Sequence, residues 1–148
     1  MNSRVAVAVH ILTLIEEGRG VPVTSEHIAG SVNTNPSLVR RLLGMLAKAG
    51  LTTAQLGTGG GALLARPASA ITLLDVHRAV DDGAIFALHR ERPNPACPIG
   101  RNIQGVLEHR IDAATRALEA ELARTTIADI LADVRRRERR GAAGRAAS

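Results

Sequence analysis

The chain has 148 residues, of which 45% are hydrophobic and 22% charged, a composition typical of one folded domain and not of a disordered chain. Its single cysteine excludes a disulfide within the chain and an all-cysteine metal site. The sequence has no apolar run of membrane-spanning length and no signal-peptide pattern, which predicts a soluble cytoplasmic protein without a membrane partner. The only aromatic residue is Phe86, which disfavours single-stranded nucleic-acid binding by base stacking.

Positive charge is concentrated in two parts of the sequence. Residues 135–148 contain six arginines and one glutamate, whereas residues 1–134 carry 13 basic and 13 acidic side chains. No acidic residue lies between Glu26 and Asp75, a stretch whose basic residues are Arg40, Arg41, Lys48 and Arg66. Such a one-sided field indicates a polyanionic partner for this stretch. For the C-terminal arginines two interpretations stay open, a tail that attracts phosphate and a frayed, solvated helix end.

The N-terminal half predicts three helices and a hairpin. Apolar residues at helical spacing predict a first helix over about residues 3–18. Thr24 is the expected cap of a second helix of about two turns. Asn35 followed by Pro36 predicts the start of a third helix, since asparagine caps well and proline favours the first helical position. Residues 51–65 predict a β-hairpin with a glycine-rich tip.

The C-terminal half predicts three further helices. Thr72 and Asp75 have the spacing of a capping box and predict a short fourth helix. Two prolines make residues 84–96 irregular. A long helix is predicted over 98–125 and a last short helix over 126–134.

This order of elements is that of a winged helix-turn-helix, a mainly α fold with a small β-hairpin wing. In that fold the second helix of the motif enters the major groove of DNA, and its N-terminal residues meet base edges. Arginine there can contact guanine or clamp phosphate, helix N-termini can hold phosphates, and a glycine-rich wing tip allows close approach to the duplex. The predicted DNA-binding residues are Thr24, Ser25, Asn35, Ser37, Arg40, Arg41, Lys48, Gly59 and Gly60.

Each of these features also has a purely structural interpretation. Exposed arginines are commonly solvated charge, and a glycine run commonly forms a turn. An alternative function is therefore a winged-helix adaptor that meets an acidic protein surface and does not bind DNA specifically. The sequence does not predict an enzyme, because no catalytic set is recognisable and the glycine-rich tip lacks the Gly-Lys-Ser/Thr ending of a phosphate loop.

The long helix has a continuous apolar face that needs a cover. We predict that a second copy of the chain supplies it in a two-fold homodimer. A last helix folded back onto this face within one chain is the alternative. The predicted dimerisation residues are Ile103, Val106, Ile111, Ala114, Leu118 and Leu122.

Cys97 is expected just before the long helix, where a helix N-terminus favours a thiolate. It is a candidate redox sensor, and a small buried side chain is the alternative interpretation. The five histidines form no metal-binding spacing, so neither a metal nor a cofactor is predicted. A site built from Cys97 with histidine or carboxylate ligands of either protomer stays open.

Several sequence blocks together carry a family pattern. They are Ile28-Ala29, NTNPSLVRRLLGMLAKAG at 33–50, Gly60-Gly61 and ITLLDV at 71–76, with Asn94-Pro95, Cys97-Pro98, Gly100, and Ser3-Arg4 followed by Ala6-Val7-Ala8. These blocks resemble the Rrf-two family of bacterial winged-helix regulators, which includes the IscR and NsrR types, and most closely its YwnA-like branch. The resemblance covers most of residues 1–134. It implies a dimeric, nucleoid-associated transcriptional regulator that binds an inverted repeat in double-stranded DNA.

The chain departs from that family pattern in two places. Leu56 and Ala62 stand where the family wing usually carries a basic and an aromatic residue, which predicts a smaller contribution of the wing. Cys97 is all that remains of the three-cysteine set of the sensor members, so an iron–sulfur cluster is not expected. The predicted function is a repressor, with a redox response through Cys97 as an open alternative.

The predicted organisation has three parts. Residues 1–83 form the DNA-binding winged helix-turn-helix, and residues 84–134 form a connecting segment with the dimerisation helices. Residues 135–148 form a basic, disordered tail.

Overall fold

A computed structural model describes residues 3–81, 83–84 and 86–148. In chain order the protein has three helices, a two-stranded antiparallel hairpin, a short 3-10 turn at Ala68–Ala70 and three further helices. This is the predicted mainly α fold with a hairpin wing. The elements are α1 (Arg4–Glu17), α2 (Ser25–Val32), α3 (Pro36–Lys48), β1 (Thr52–Gln55), β2 (Gly61–Leu64), α4 (Leu73–Val80), α5 (Pro98–Leu122) and α6 (Ile127–Ala147).

The core of the winged-helix body lies between α1, α2, α3 and α4. Fully buried side chains include Ile11 and Leu12 of α1, Ile28 of α2 and Val76 of α4. From α3, Val39, Leu42 and Leu46 are fully buried as one stripe. Full burial of a leucine contributes roughly 1.5–3 kcal/mol, so this stripe fixes which side of α3 faces outward.

The helix starts follow the capping residues in the sequence. The side chains of Thr24 and Asn35 cap α2 and α3. Thr72 with Asp75 forms the predicted capping box of α4, and Thr126 forms a second one with Asp129 at the start of α6. Hydrogen bonds from the backbone N–H of Thr126 and then from its side chain lower the pKa of Asp129.

The wing is a short hairpin that packs against α1 and α3 of the body. Thr52 pairs with Leu64 and Gln55 with Gly61. Val23, just before α2, forms an isolated antiparallel bridge with Ala62 of β2, through N–H···O distances of 2.8 and 3.0 Å. The wing therefore keeps a fixed position beside α2 and α3.

The C-terminal part corrects two predictions. The long helix ends at Leu122, because the backbone turns there and the carbonyl of Thr125 accepts a hydrogen bond from the Leu73 N–H at 2.9 Å. The segment predicted as a disordered tail from residue 135 is instead helical, since α6 runs on to Ala147. Arginine and alanine are strong helix formers and no proline interrupts them, which explains why this helix continues.

Helix α6 does not cover α5. It packs against α1 and the 3-10 turn, and its Ile127 and Leu131 are buried there. The alternative that the last helix covers the apolar face of the long helix is therefore wrong. Among the described residues, none of the helices is long and apolar enough to cross a membrane.

Candidate nucleic-acid interface

The outer face of α3 carries the polar and basic residues singled out in the sequence. Ser37, Arg40, Arg41 and Lys48 are all exposed, together with Gly44. They share one side of the helix because their spacing follows the helical period, whereas the buried stripe occupies the other side. The face therefore presents two guanidinium groups near its N-terminal end and an ammonium group at its C-terminal end.

Two of the four basic residues in the acid-free stretch are already paired. The Nη2 of Arg40 lies 2.6 Å from the Oε1 of Glu26 on α2, and both side chains are more than half exposed. Arg66 lies 3.5 Å from the Oδ2 of Asp75. Glu26 and Asp75, which border the acid-free stretch in the sequence, therefore lie next to two of its arginines in the fold. Their negative charge makes the positive field of the stretch weaker than the sequence suggests. Within the described residues, Arg41 and Lys48 form no ion pair.

The N-termini of α2 and α3 differ as places for a phosphate. The Thr24 Oγ1 accepts a hydrogen bond from the His27 N–H at 3.1 Å, and the Asn35 Oδ1 accepts one from the Leu38 N–H at 2.9 Å. At α2 the first-turn Glu26 opposes an incoming anion, while half-buried Ser25 lies beside it. At α3 the first turn contains no acidic residue, so it is the more favourable of the two.

The glycines of the wing tip have a structural cause of their own. Gly59 has a φ of 74°, which side-chain-bearing residues rarely adopt. At Gly60 an added Cβ would lie 2.1 Å from the Gln55 carbonyl oxygen, so the closure of the hairpin requires a glycine. Leu56 at the tip is 89% exposed and brings no charge toward a duplex.

A groove between α3 and the wing adds residues that the sequence analysis missed. Arg40 and Gly44 line it from α3, Ser25 from α2, and Thr53 and Gln55 from β1. Both β1 side chains are exposed and polar. Thr53 and Gln55 are two positions apart on β1 and therefore lie on the same side of the hairpin. This alternation would have allowed the sequence to predict them.

The apolar face of α5 lies open in the single chain. All 25 residues of α5 are described and none of them is buried. Val106, Ala114 and Leu118 are exposed, while Ile103, Ile111 and Leu122 are half-buried. Ile99, one turn before Ile103, is 73% exposed and extends the predicted face.

Cys97 is the N-cap residue of α5, as predicted. It is half-buried, and its thiol makes no capping hydrogen bond. The carbonyl of Asn94 accepts a hydrogen bond from the Cys97 N–H at 3.2 Å, and the Asn94 side chain accepts one from Ala96. The cysteine therefore stands at a tight turn that leads into the long helix.

Comparisons with known proteins agree with this geometry. The Rrf2 family, described as iron-dependent transcriptional regulators, matches residues 1–133. The chain belongs to the Rrf2 family. It is 46% identical over 132 residues to YwnA of Bacillus subtilis, assigned as an HTH-type transcriptional regulator, and the match covers 88% of this chain and 96% of YwnA.

Solved structures give the same assignment. A protein assigned as DNA-binding has a TM-score of 0.70 and 40% identity, over 87% of this chain and 99% of that one. A protein from Lactobacillus plantarum, assigned as a transcriptional regulator, has a TM-score of 0.76 and 27% identity, over 91% of both chains. This Rrf2 protein is thus a transcriptional regulator with a DNA-binding fold, and not an enzyme.

The iron in the family description does not fit the donor set of this chain. Cys97 is its only cysteine, so one protomer offers a single thiolate to an iron–sulfur cluster. Across residues 3–81, 83–84 and 86–148, no three histidine, cysteine, aspartate or glutamate side chains come close enough to hold a metal ion.

Proposed function

We propose that this Rrf2 regulator is a repressor that binds an inverted-repeat operator as a homodimer, with α3 of each protomer in the major groove. The observation that carries the proposal is the outer face of α3, where Ser37, Arg40 and Arg41 are exposed at the N-terminal end of a helix whose opposite stripe is buried. This end of the second helix is the part that meets base edges in the helix-turn-helix geometry.

The other predicted contacts take roles according to their chemistry. Arg41 is free of ion pairs within the described residues and is the strongest candidate for a guanine contact. Lys48 lies eleven residues beyond Ser37, about 16 Å along the helix, and is better placed for a phosphate. Thr24, Ser25 and Asn35 would position the backbone at the two helix starts, and Gly59 and Gly60 would let the wing approach it closely.

The proposed dimer follows from α5. A helix of 25 residues is about 37 Å long, and its exposed apolar residues would be costly to leave in water. A second copy of the same helix offers the same apolar surface, so a two-fold pair covers both. Two α3 helices would then contact half-sites about one helical turn, or 34 Å, apart on the chromosomal DNA.

This arrangement gives the chain two functional parts. Residues 1–83 would read DNA, and α5 within residues 84–134 would link the protomers, whereas the start of α6 packs on the body. We further propose that the regulator works without a metal or other cofactor, since Cys97 is a single thiol. A response to oxidants through Cys97 remains a prediction.

Selection of bound sequences from random duplexes tests the proposal. We expect recovery of a two-fold symmetric motif whose half-sites are about 10 base pairs apart. Arg41→Ala should then weaken operator binding by about 1–3 kcal/mol and relax sequence preference at one position of each half-site. Recovery of no motif, with affinity that does not fall as salt rises, would favour the adaptor function instead.

A further inference from the structure

The C-terminal part of α6 is a basic helical extension that lies outside the family match. We call residues 135–147 the arginine arm. The family match ends at residue 133, while α6 continues without a break from Ile127 to Ala147. The arm and Ser148 carry six arginines and one glutamate. Their net side-chain charge of +5 equals the formal net charge of the whole chain.

The arm is fixed to the winged-helix body at its base. Ile127 and Leu131 are buried, and the Ile127 N–H donates to the Ile71 carbonyl at 2.9 Å. At the first residue of the arm, Arg135 lies 2.9 Å from the Glu17 carboxylate at the end of α1. Because the helix is continuous, the twelve residues after Arg135 extend about 18 Å from this anchor.

The anchor lies on an element that also supports the wing. Helix α1 packs against β2, and the chain runs from Glu17 through a short connection to Val23, which bridges to Ala62 of the wing. The arm therefore begins beside a part of the body that is linked directly to the candidate nucleic-acid interface.

Three of the six arginines, Arg137, Arg139 and Arg140, are available to an external anion, since Arg135 already pairs with Glu17. Arg136 pairs with Asp133, and Arg145 lies 3.0 Å from Glu138. No carboxylate of the described residues lies within ion-pair distance of Arg137, Arg139 or Arg140. Arg136, Arg137 and Arg140 line one surface depression together with a single acid, Asp133. Guanidinium groups match the oxygens of a phosphate with paired hydrogen bonds.

The residue types in the arm favour nucleic acid over other anionic partners. Residues 135–148 contain only arginine, glutamate, glycine, alanine and serine. The arm has no large apolar side chain that could enter a lipid interface and no aromatic or aliphatic anchor for a protein interface. Duplex DNA needs neither, because its backbone is bound through charge and hydrogen bonds alone.

We propose that the arginine arm binds the phosphate backbone of DNA that flanks each operator half-site. This inference rests on the proposed function, since it presupposes that α3 has placed the body on a duplex. The arm adds affinity that is independent of sequence and leaves the choice of operator to α3.

The test compares three proteins on two duplexes. The arm variant is Arg137→Gln/Arg139→Gln/Arg140→Gln. The control is Arg90→Gln/Arg92→Gln/Arg116→Gln, which removes the same charge from exposed positions outside the arm. One duplex contains only the operator selected by the wild-type protein, and the other adds about 15 flanking base pairs on each side. Affinities are measured over a series of salt concentrations, and circular dichroism checks that the helices are kept.

For the arm variant we expect a loss of affinity of about tenfold or more on the long duplex and little change on the short one. The slope of log affinity against log salt should decrease by up to about 2.7 per protomer, as for three lost phosphate contacts. The control should keep the wild-type preference for the long duplex, and all three proteins should select the same operator.

Three results would overturn the inference. One is an arm variant with the wild-type slope and the wild-type preference for the long duplex, which leaves the proposed function intact. Another is a control that loses as much as the arm variant, because the effect would then reflect net charge. The third concerns a parallel measurement with anionic lipid vesicles. The wild type and the control would bind the vesicles, the arm variant would not, and all three proteins would bind DNA equally well. A wild-type protein that selects no duplex would instead refute the proposed function itself.

Discussion

The ion pair between Glu26 and Arg40 predicts that removal of one acidic side chain strengthens DNA binding. The two groups are 2.6 Å apart, and Arg40 lies on the face of α3 proposed to enter the major groove. To contact a base or a phosphate, the guanidinium group must leave or share this carboxylate. Glu26→Gln frees Arg40 and also removes a negative charge beside the duplex.

The size of the effect follows from the exposure of the pair. The Arg40 and Glu26 side chains are 56% and 66% exposed, and exposed ion pairs contribute about 0.2–1 kcal/mol. Release of Arg40 should therefore raise operator affinity by up to about fivefold. The long-range part, loss of repulsion between Glu26 and phosphate, is smaller, because the Debye length at physiological salt is about 8 Å.

A double-mutant cycle separates these two parts. Operator affinity is measured by fluorescence anisotropy for the wild type, Glu26→Gln, Arg40→Gln and the double variant. We expect Glu26→Gln to increase affinity clearly in the wild-type background and only slightly when Arg40 is absent. Glu121→Gln is the matched control, since it breaks an exposed pair with Arg124 at 3.2 Å on another part of the molecule. Thermal unfolding should show only a small loss, because Glu26 lies in the first turn of α2.

Two outcomes would refute this reasoning. Equal gains from Glu26→Gln in both backgrounds would mean that the pair does not compete with DNA. Weaker operator binding by Glu26→Gln would mean that the carboxylate holds Arg40 in its binding orientation and so assists recognition.

Three further predictions concern the dimer, the wing and the cysteine. Val106→Glu should shift the protein from dimer to monomer in analytical ultracentrifugation, and an unchanged dimer would refute the proposed interface. The control Arg116→Glu should stay dimeric, because Arg116 is exposed and lies about 160° around α5 from both Ala114 and Leu118. Gly60→Ala should distort the hairpin and weaken DNA binding, because its Cβ would meet the Gln55 carbonyl at 2.1 Å, and an unaltered affinity and wing structure would contradict that reasoning. Cys97→Ser should abolish any release of the operator by peroxide or diamide, and identical release in this variant would exclude sensing through the thiol.

The sequence alone determined the local structure of the protein. Helix starts at Thr24, Asn35, Thr72 and Thr126 were predictable, because a cap is a contact between residues three positions apart. The outward orientation of Arg40 and Arg41 was predictable for a similar reason, since the spacing of Val39, Leu42 and Leu46 fixes the buried side of the helix. The wing followed from its glycines.

The tertiary structure decided which distant residues meet. Glu26 and Arg40 are fourteen positions apart, and Arg135 and Glu17 are more than a hundred, so neither pair could be read from helical spacing. The groove that joins Arg40 to Gln55 depends on the position of the hairpin beside α3. Whether α6 covers α5 or α1 was likewise open in the sequence, because both faces are apolar. In the fold, the Ile127–Ile71 backbone hydrogen bond and the contacts of α6 with α1 and the 3-10 turn place it on α1. Local hydrogen bonds and periodicity are encoded within a few residues, whereas charge pairing and helix docking depend on the path of the whole chain.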